Sequence, residues 1–370
     1  MHIDSFQEHF KTIVDQRQSA KVTYPLFEVL FGSLCAVIAG AKGWFDIREY
    51  IQGHHNWFQA NEMFIGDIPA DDTIARIIST IEPEKFHACF LNWMRSVHTL
   101  TEGQVIAIDG KTLRGSYNRE DRASTIHMIS AYASSNKLVL GQIKTEQKSN
   151  EITAIPELLK MLDLRGALVT IDAMACQTKI AKTIVNQGGD YLLAVKNSQG
   201  KLRKAVENSF SHQRTTPVQD IEFEKGHGRV ESRQCYVLSS DVLEGDFSRW
   251  TGLKSIIMVQ SFRYQKGKCT SLEYRYYISS KALTAKQAAS AVREHWGIES
   301  MHWVLDVSMS EDACQIYKDN GAENLSCLRH MALNMLRAES TKVSIAGKQR
   351  RCLMNTSMLE SVLLAGLSKN

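Results

Sequence analysis

Val105-Ile106-Ala107-Ile108-Asp109-Gly110-Lys111 is a short apolar run closed by an acid, and Ala167-Leu168-Val169-Thr170-Ile171-Asp172 repeats the arrangement further along the chain. Short apolar runs rich in β-branched residues read as strands buried on both faces. An acid that ends such a run sits on a rigid element and points beyond the sheet edge. A third acid, Glu299, closes the helical stretch Val292-Arg293-Glu294-His295-Trp296-Gly297-Ile298-Glu299. Two strand tips and one helix bring three carboxylates together, a set that suits a pair of hard divalent cations and phosphodiester chemistry. The sequence therefore points to nucleic acid as substrate.

The segments around these acids support that reading. Ile126 to Ala133 and Leu138 to Ile143 predict a hairpin around Ser134-Ser135-Asn136-Lys137, and Glu151 to Leu162 predicts a helix. Gln177 to Gln187 is the next helix, and Tyr191 to Val195 the next strand. Three strands, helix, strand, helix, strand, helix is the order of the α/β ribonuclease-H-like fold, whose first and fourth strands carry metal-binding acids at their ends. Residues 1–100 predict a small helical N-terminal domain, with an apolar face through Leu26, Leu30, Leu34 and Val37. The catalytic core is expected over 101–340. Within it, about 215–280 is strand-like and turn-punctuated, and predicts a β-rich insertion that interrupts the core. Thr284 is expected to begin the helix that delivers Glu299. Residues 341–370, with Lys348-Gln349-Arg350-Arg351, predict a basic, helical C-terminal tail.

Each acid has a plainer reading taken alone. Asp109-Gly110 is a common strand-to-turn pair, Asp172 is placed to cap the next helix, and Glu299 fits a surface position beside a core tryptophan. It shares a helical face with His295, Trp303 and Asp306 by spacing. What sets the three apart is their joint occurrence where one fold wants them.

Bulk properties bound the answer without deciding it. The 370 residues carry 44 Lys+Arg against 40 Asp+Glu, a net charge of +4, too mild to identify a nucleic-acid partner by itself. The eight cysteines include no Cys-x-x-Cys pair, which argues against zinc ribbons and redox dithiols and for reduced, buried thiols. No signal-like N-terminus and no apolar run of membrane length occur, so a soluble cytoplasmic protein with no membrane partner is expected.

His295-Trp296-Gly297-Ile298-Glu299, His302-Trp303-Val304-Leu305-Asp306-Val307 and Glu311-Asp312-Ala313 resemble the third catalytic block of bacterial insertion-sequence transposases of the DDE class, specifically the H-repeat-associated group. Ala107 to Lys111, Ser149-Asn150-Glu151-Ile152-Thr153-Ala154-Ile155-Pro156, Gly188-Gly189-Asp190-Tyr191 and Lys225-Gly226-His227-Gly228-Arg229-Val230-Glu231 are also similar to that group, in the same order. The chain departs from it at Ala175, at Lys196-Asn197-Ser198-Gln199 and at Ser300, none of which removes an acid.

The resemblance implies a transposase that nicks double-stranded DNA at element ends and joins the freed 3′-hydroxyl to a target. It implies two Mg²⁺ ions, with Mn²⁺ able to substitute, held by Asp109, Asp172 and Glu299, and a homodimer on nucleoid DNA. Lys111, Arg114, Lys196, Arg229 and Arg233 are candidates for phosphate contact, and His295 and Trp296 for DNA contact beside the cleavage site. Arg229 and Arg233 are expected on the edge of the insertion near the acids. The rivals are a nuclease that only hydrolyses and a DNA-binding remnant that acts as a regulator.

Overall fold

The computed structural model describes residues 3–97, 103–145, 151–212, 219–226, 229–265 and 268–367. Helices α1 (Ile3–Phe10), α2 (Leu26–Ile38), α3 (Trp44–Gly53), α4 (His55–Ala60), α5 (Asp71–Ser79) and α6 (Pro83–Val97) come first. They lead into β1 (Val105–Thr112), β2 (His127–Ala133), β3 (Leu138–Thr145), α7 (Glu151–Met161), β4 (Leu168–Ile171), α8 (Thr178–Asn186), β5 (Asp190–Val195) and α9 (Gly200–His212). The long strands β6 (Asp220–Gly226), β7 (Arg229–Ser239), β8 (Ser255–Gln265) and β9 (Lys268–Ser279) follow. Helices α10 (Ala285–His295), α11 (Gly297–Met309), α12 (Gly321–Ala338), α13 (Ile345–Met354) and α14 (Thr356–Ala365) close the chain.

Among the described residues one sheet runs in the order β3-β2-β1-β4-β5-β9-β8-β7-β6. β1 is antiparallel to β2 and parallel to β4, and β4 is parallel to β5, which is the ribonuclease-H-like arrangement. The β-rich segment expected as an interruption of the core instead continues its sheet. β9 pairs with β5 from Leu192↔Ser279 to Val195↔Tyr276, and β8, β7 and β6 follow outward. The reason lies in Tyr276-Tyr277-Ile278, buried on both faces against β5, which would otherwise expose an unpaired strand edge.

Successive side chains of a strand point to opposite faces. Ile106, Ile108, Val169 and Ile171 pack in one core with Leu158 of α7 and Ile180 of α8. Val105, Ala107 and Leu168 face the other side, where α10 and α11 lie against β1. Asp109 and Asp172 continue this second set.

The helices before β1 do not close a core of their own. α2 is apolar nearly all round and buried from Val29 to Ile38, as a helix surrounded by protein must be. It packs on α12, and both share one core with residues of α5, α6, α11 and α14. Lys348, in the expected basic tail, is buried, and its ammonium donates to Leu336 O at 2.8 Å and pairs with Glu339 at 3.0 Å. Cysteines 35, 89, 176, 235, 314, 327 and 352 are buried free thiols. No helix among the described residues is long and apolar enough to cross a membrane.

Candidate active site

The β1–β4 ladder stops at Ile108↔Ile171, whereas the β1–β2 ladder continues to Thr112↔His127. Asp109 is therefore mid-strand toward β2 and at a strand tip toward β4, where the sequence suggested a simple strand end. Asp172 follows β4 directly. Its backbone caps a 3-10 turn over Ala173–Ala175, yet its carboxylate makes no capping hydrogen bond, so the capping role does not consume it. Glu299 arrives from the other layer. Thr284 and Gln287 form a reciprocal capping box that starts α10. α10 ends at His295, where Ser134 Oγ donates to Glu294 O at 2.7 Å, and α11 restarts at Gly297. Glu299 lies in the first turn of α11, and across the single turn residue Trp296 it lines the same cavity as His295, four residues before it.

Asp109, Asp172 and Glu299 line one cavity of about 330 Å³, with Lys196, Arg203, Arg275, His295 and Trp296 around them. Burial, then the charges of Glu151, Glu299 and Asp172, push the Asp109 carboxyl up to about 6. Burial also raises Glu299, against the opposing pull of Arg275. His302 Nδ1 lies 3.6 Å from Asp109 Oδ2, but burial and the Lys111 charge hold His302 down to about 4, so at neutral pH it brings no cation. Lys196 Nζ reaches both oxygens of Asp172 at 3.3 Å. That pair is exposed, and such pairs contribute only about 0–1 kcal/mol, so it yields readily to a stronger ligand.

The donor set is all oxygen, as hard divalent cations require. Among the described residues no group of three or more His, Cys, Asp or Glu is gathered around a single ion position. Asp109, Asp172 and Glu299 bring carboxylate oxygens from three elements to one cavity, the donor type such an ion takes. Glu151 stands behind the site: its Oε1 accepts from His127 Nε2 at 2.5 Å. A Cβ on Gly110 would come within 2.5 Å of both partners, so only glycine fits after Asp109.

The expected cations separate into three groups. Lys111 is unavailable to phosphate, because its buried ammonium is held by Asp306 and by Glu311 Oε2 at 2.6 Å. Glu311, despite burial, is brought down to about 2 by Lys111, His330 and Arg329. Arg233 is likewise engaged, with Glu224 at 3.1 Å and Glu231 at 2.8 Å, and β7 is an inner strand, not an edge. The side chain of Arg229 and residues 227–228 of its turn lie outside the described residues. Arg114 is open, 82% exposed with Asp312 at 3.5 Å, and Lys196 lines the cavity. His295 is held by Thr170 Oγ1 at 3.0 Å. Trp296 is 40% exposed at the cavity with the Arg275 guanidinium 4.8 Å from its ring. Trp303, read as a core residue, is 62% exposed.

Sequence reasoning missed Arg203, Arg275 and His302 as neighbours of the acids. His302 follows Glu299 by three residues and was legible once the helix was placed. The two arginines come from α9 and β9, and nothing local to them marks the site.

Residues 100–335 match the family model described as Transposase DDE domain, and residues 7–94 match DDE_Tnp_1-associated. The chain belongs to this transposase family. Over 379 aligned residues it is 45% identical to the "H repeat-associated putative transposase YhhI" of Escherichia coli (strain K12), covering 100% of both chains. It is 45% identical to the "Putative transposase YncI" of Escherichia coli O157:H7, over 98% of this chain and 95% of that one. Among solved structures, a piggyBac transposase synaptic complex with hairpin DNA aligns with a TM-score of 0.47 and 12% identity, over 98% of this chain and 81% of that one, a likeness too loose to carry an argument. The transposase is thus a DDE-type, DNA-binding enzyme of the insertion-sequence kind, whose general activity is metal-dependent strand cleavage and strand transfer.

Proposed function

We propose that Asp109, Asp172 and Glu299 are the acids of this activity and that they hold two Mg²⁺ ions, with Mn²⁺ as a working substitute. The observation that carries the reading is a cavity at the carboxyl ends of β1 and β4 lined by acids from three separate elements, with Asp109 raised to about 6 and only one exposed lysine bridged to the set. Asp109 is half-buried and Asp172 and Glu299 are exposed, and like charges drawn into one cavity repel unless a cation neutralises them. When bound, the ions supply a deprotonated water or 3′-hydroxyl and stabilise the leaving oxygen.

The protein's own groups do the rest. Asp109, fixed mid-strand, Asp172 and Glu299 would hold the ions in this cavity. Lys196 and Arg203, on one flank of the cavity, position backbone phosphate on the acids. When phosphate arrives, Lys196 exchanges a weak pair with Asp172 for one with DNA. Trp296 and Arg275, stacked on one another at the cavity, hold the nucleotide beside the break. The substrate is double-stranded DNA at the ends of an element and at its target, in the nucleoid of the cell that carries it, and two copies act together, one on each end.

Incubation of the purified protein with duplexes carrying the element's terminal sequences and Mg²⁺ tests this. Nicking at the end followed by joining to a second DNA is the expected result. Full-rate cleavage by Asp109→Asn, Asp172→Asn or Glu299→Gln would remove that acid from the assignment.

A further inference from the structure

β1 carries Asp109 and Lys111 on the same face, two residues apart. Asp109 lines the cavity, and Lys111 lies in a buried ion cluster beside it. The Lys111 side chain is 9% exposed, and its ammonium meets Asp306 Oδ1 and, at 2.6 Å, Glu311 Oε2. Asp306 lies two turns after Glu299 on α11, and His302, between them, faces Asp109. Ser310 then ends α11 in the left-handed region at φ 54°, turning the chain so that Glu311 N donates to Leu305 O at 3.0 Å and its side chain points back to Lys111. Ser326 of α12 donates to the other Glu311 oxygen at 2.8 Å. The segment after β1 is pinned to the same turn: Ser116 Oγ donates to Cys314 O at 3.0 Å, and a Cβ on Gly115 would lie 2.6 Å from that carbonyl.

We propose that Lys111 is a positioning residue whose buried pairs with Asp306 and Glu311 lock α11 to β1 in one register and so hold Glu299 and His302 opposite Asp109. It rests on the reading that these acids hold the metal. One ammonium meets carboxylates from a helix and from the turn after it at only one axial setting of that helix. A slip of one turn, about 5.4 Å, would leave a buried charge unpaired. Buried ion pairs add little stability over apolar groups of the same volume, and their best-attested use is to specify register. β1 and α11 are the elements that need a register here, since each carries an acid of the site.

The test replaces the cluster by apolar groups, Lys111→Met with Asp306→Leu and Glu311→Met, and measures Mn²⁺ affinity by electron paramagnetic resonance without DNA. Thermal melting and the salt dependence of DNA binding are read alongside. The expected result is a folded protein with an unchanged salt slope and Mn²⁺ affinity lower by about tenfold to a hundredfold, the range for loss of groups that orient ligands. Asp306→Asn, which leaves the Lys111–Glu311 pair whole, keeps the question answerable if the triple variant does not fold, and is expected to lose affinity severalfold. Parent-like Mn²⁺ affinity in the triple variant, or in Asp306→Asn where only that variant folds, overturns the proposal. So does a salt slope reduced by about one in the triple variant, which would make Lys111 a phosphate ligand. Asp109→Asn separates the two ideas: if it loses Mn²⁺ and the triple variant does not, only the lock fails; if it binds Mn²⁺ like the parent, the acid assignment fails and the lock with it.

Discussion

The acid-lined edge of β1 and β4 and the outer strands β6 to β9 are both rich in charge, but they treat it in opposite ways. On the outer strands the charges are matched. Arg233 spans Glu224 and Glu231, Arg263 meets Glu231 at 3.0 Å, and Arg293 of α10 reaches Glu222 at 3.0 Å. At the inner edge Asp109 has three carboxylates for electrostatic neighbours and a neutral histidine beside it. Matched charge is what a solvated protein surface makes for itself. Unmatched, half-buried charge is a cost that a ligand relieves, and it marks the working site more sharply than charge density does.

The strongest test of that contrast is removal of the cavity acids. Asp109→Asn, Asp172→Asn and Glu299→Gln keep side-chain volume and delete a ligand, and each is expected to lower the single-turnover cleavage rate by about a thousandfold or more, since metal ligation carries several kcal/mol of the barrier. DNA affinity should stay near the parent value by filter binding. A loss confined to two of the three would name the acid that belongs to the structure alone.

Next in size is the flank of the cavity. Lys196→Ala with Arg203→Ala is expected to reduce the slope of log K against log salt by up to about 2, given about 0.9 per phosphate contact. An unchanged slope would move the DNA path elsewhere, with Arg114 as the next candidate.

A smaller effect concerns stability and pH. The Asp109 carboxyl sits near 6 in the fold against an ordinary 3.8, so the folded chain binds that proton more tightly than the unfolded chain. The stability this provides is complete below about 4 and is lost as pH rises through about 6. Asn cannot ionise, so Asp109→Asn should melt a few degrees above the parent at pH 8 in chelator, and the difference should close by pH 4. Equal melting at both pH values would mean that neither burial nor the neighbouring carboxylates raise the Asp109 carboxyl. Saturating Mg²⁺ should stabilise the parent at pH 8 and not the variant.

The smallest effect is expected from the matched region. Arg233→Gln should change stability by no more than about 1 kcal/mol and leave the salt slope unaltered, because its pairs with Glu224 and Glu231 are partly solvated. A clear fall in the slope would restore the outer strands as a DNA surface and erase the contrast.

Much of this was legible in the residues themselves. The apolar runs ending in Asp109 and Asp172, the hairpin at Ser134 to Lys137 and the alternation of strand and helix to Val195 follow from local periodicity and turn chemistry, which act over a few residues. The three acids stood out for the same reason. The pairing of β9 with β5 was not legible, because a strand's partner depends on which edge is free, and that is a property of the assembled sheet. Nor was the fate of Lys111: next to Asp109 in sequence it reads as a phosphate ligand, yet carboxylates about two hundred positions away enclose it. Sequence by itself determined the element order and singled out the three acids proposed for the site, since strand and helix periodicity and acidic chemistry are carried by residues close together. Tertiary structure alone decided which cations are free, which strands join the core sheet and that the terminal helices share one core, since pairing and burial depend on groups that only folding brings together.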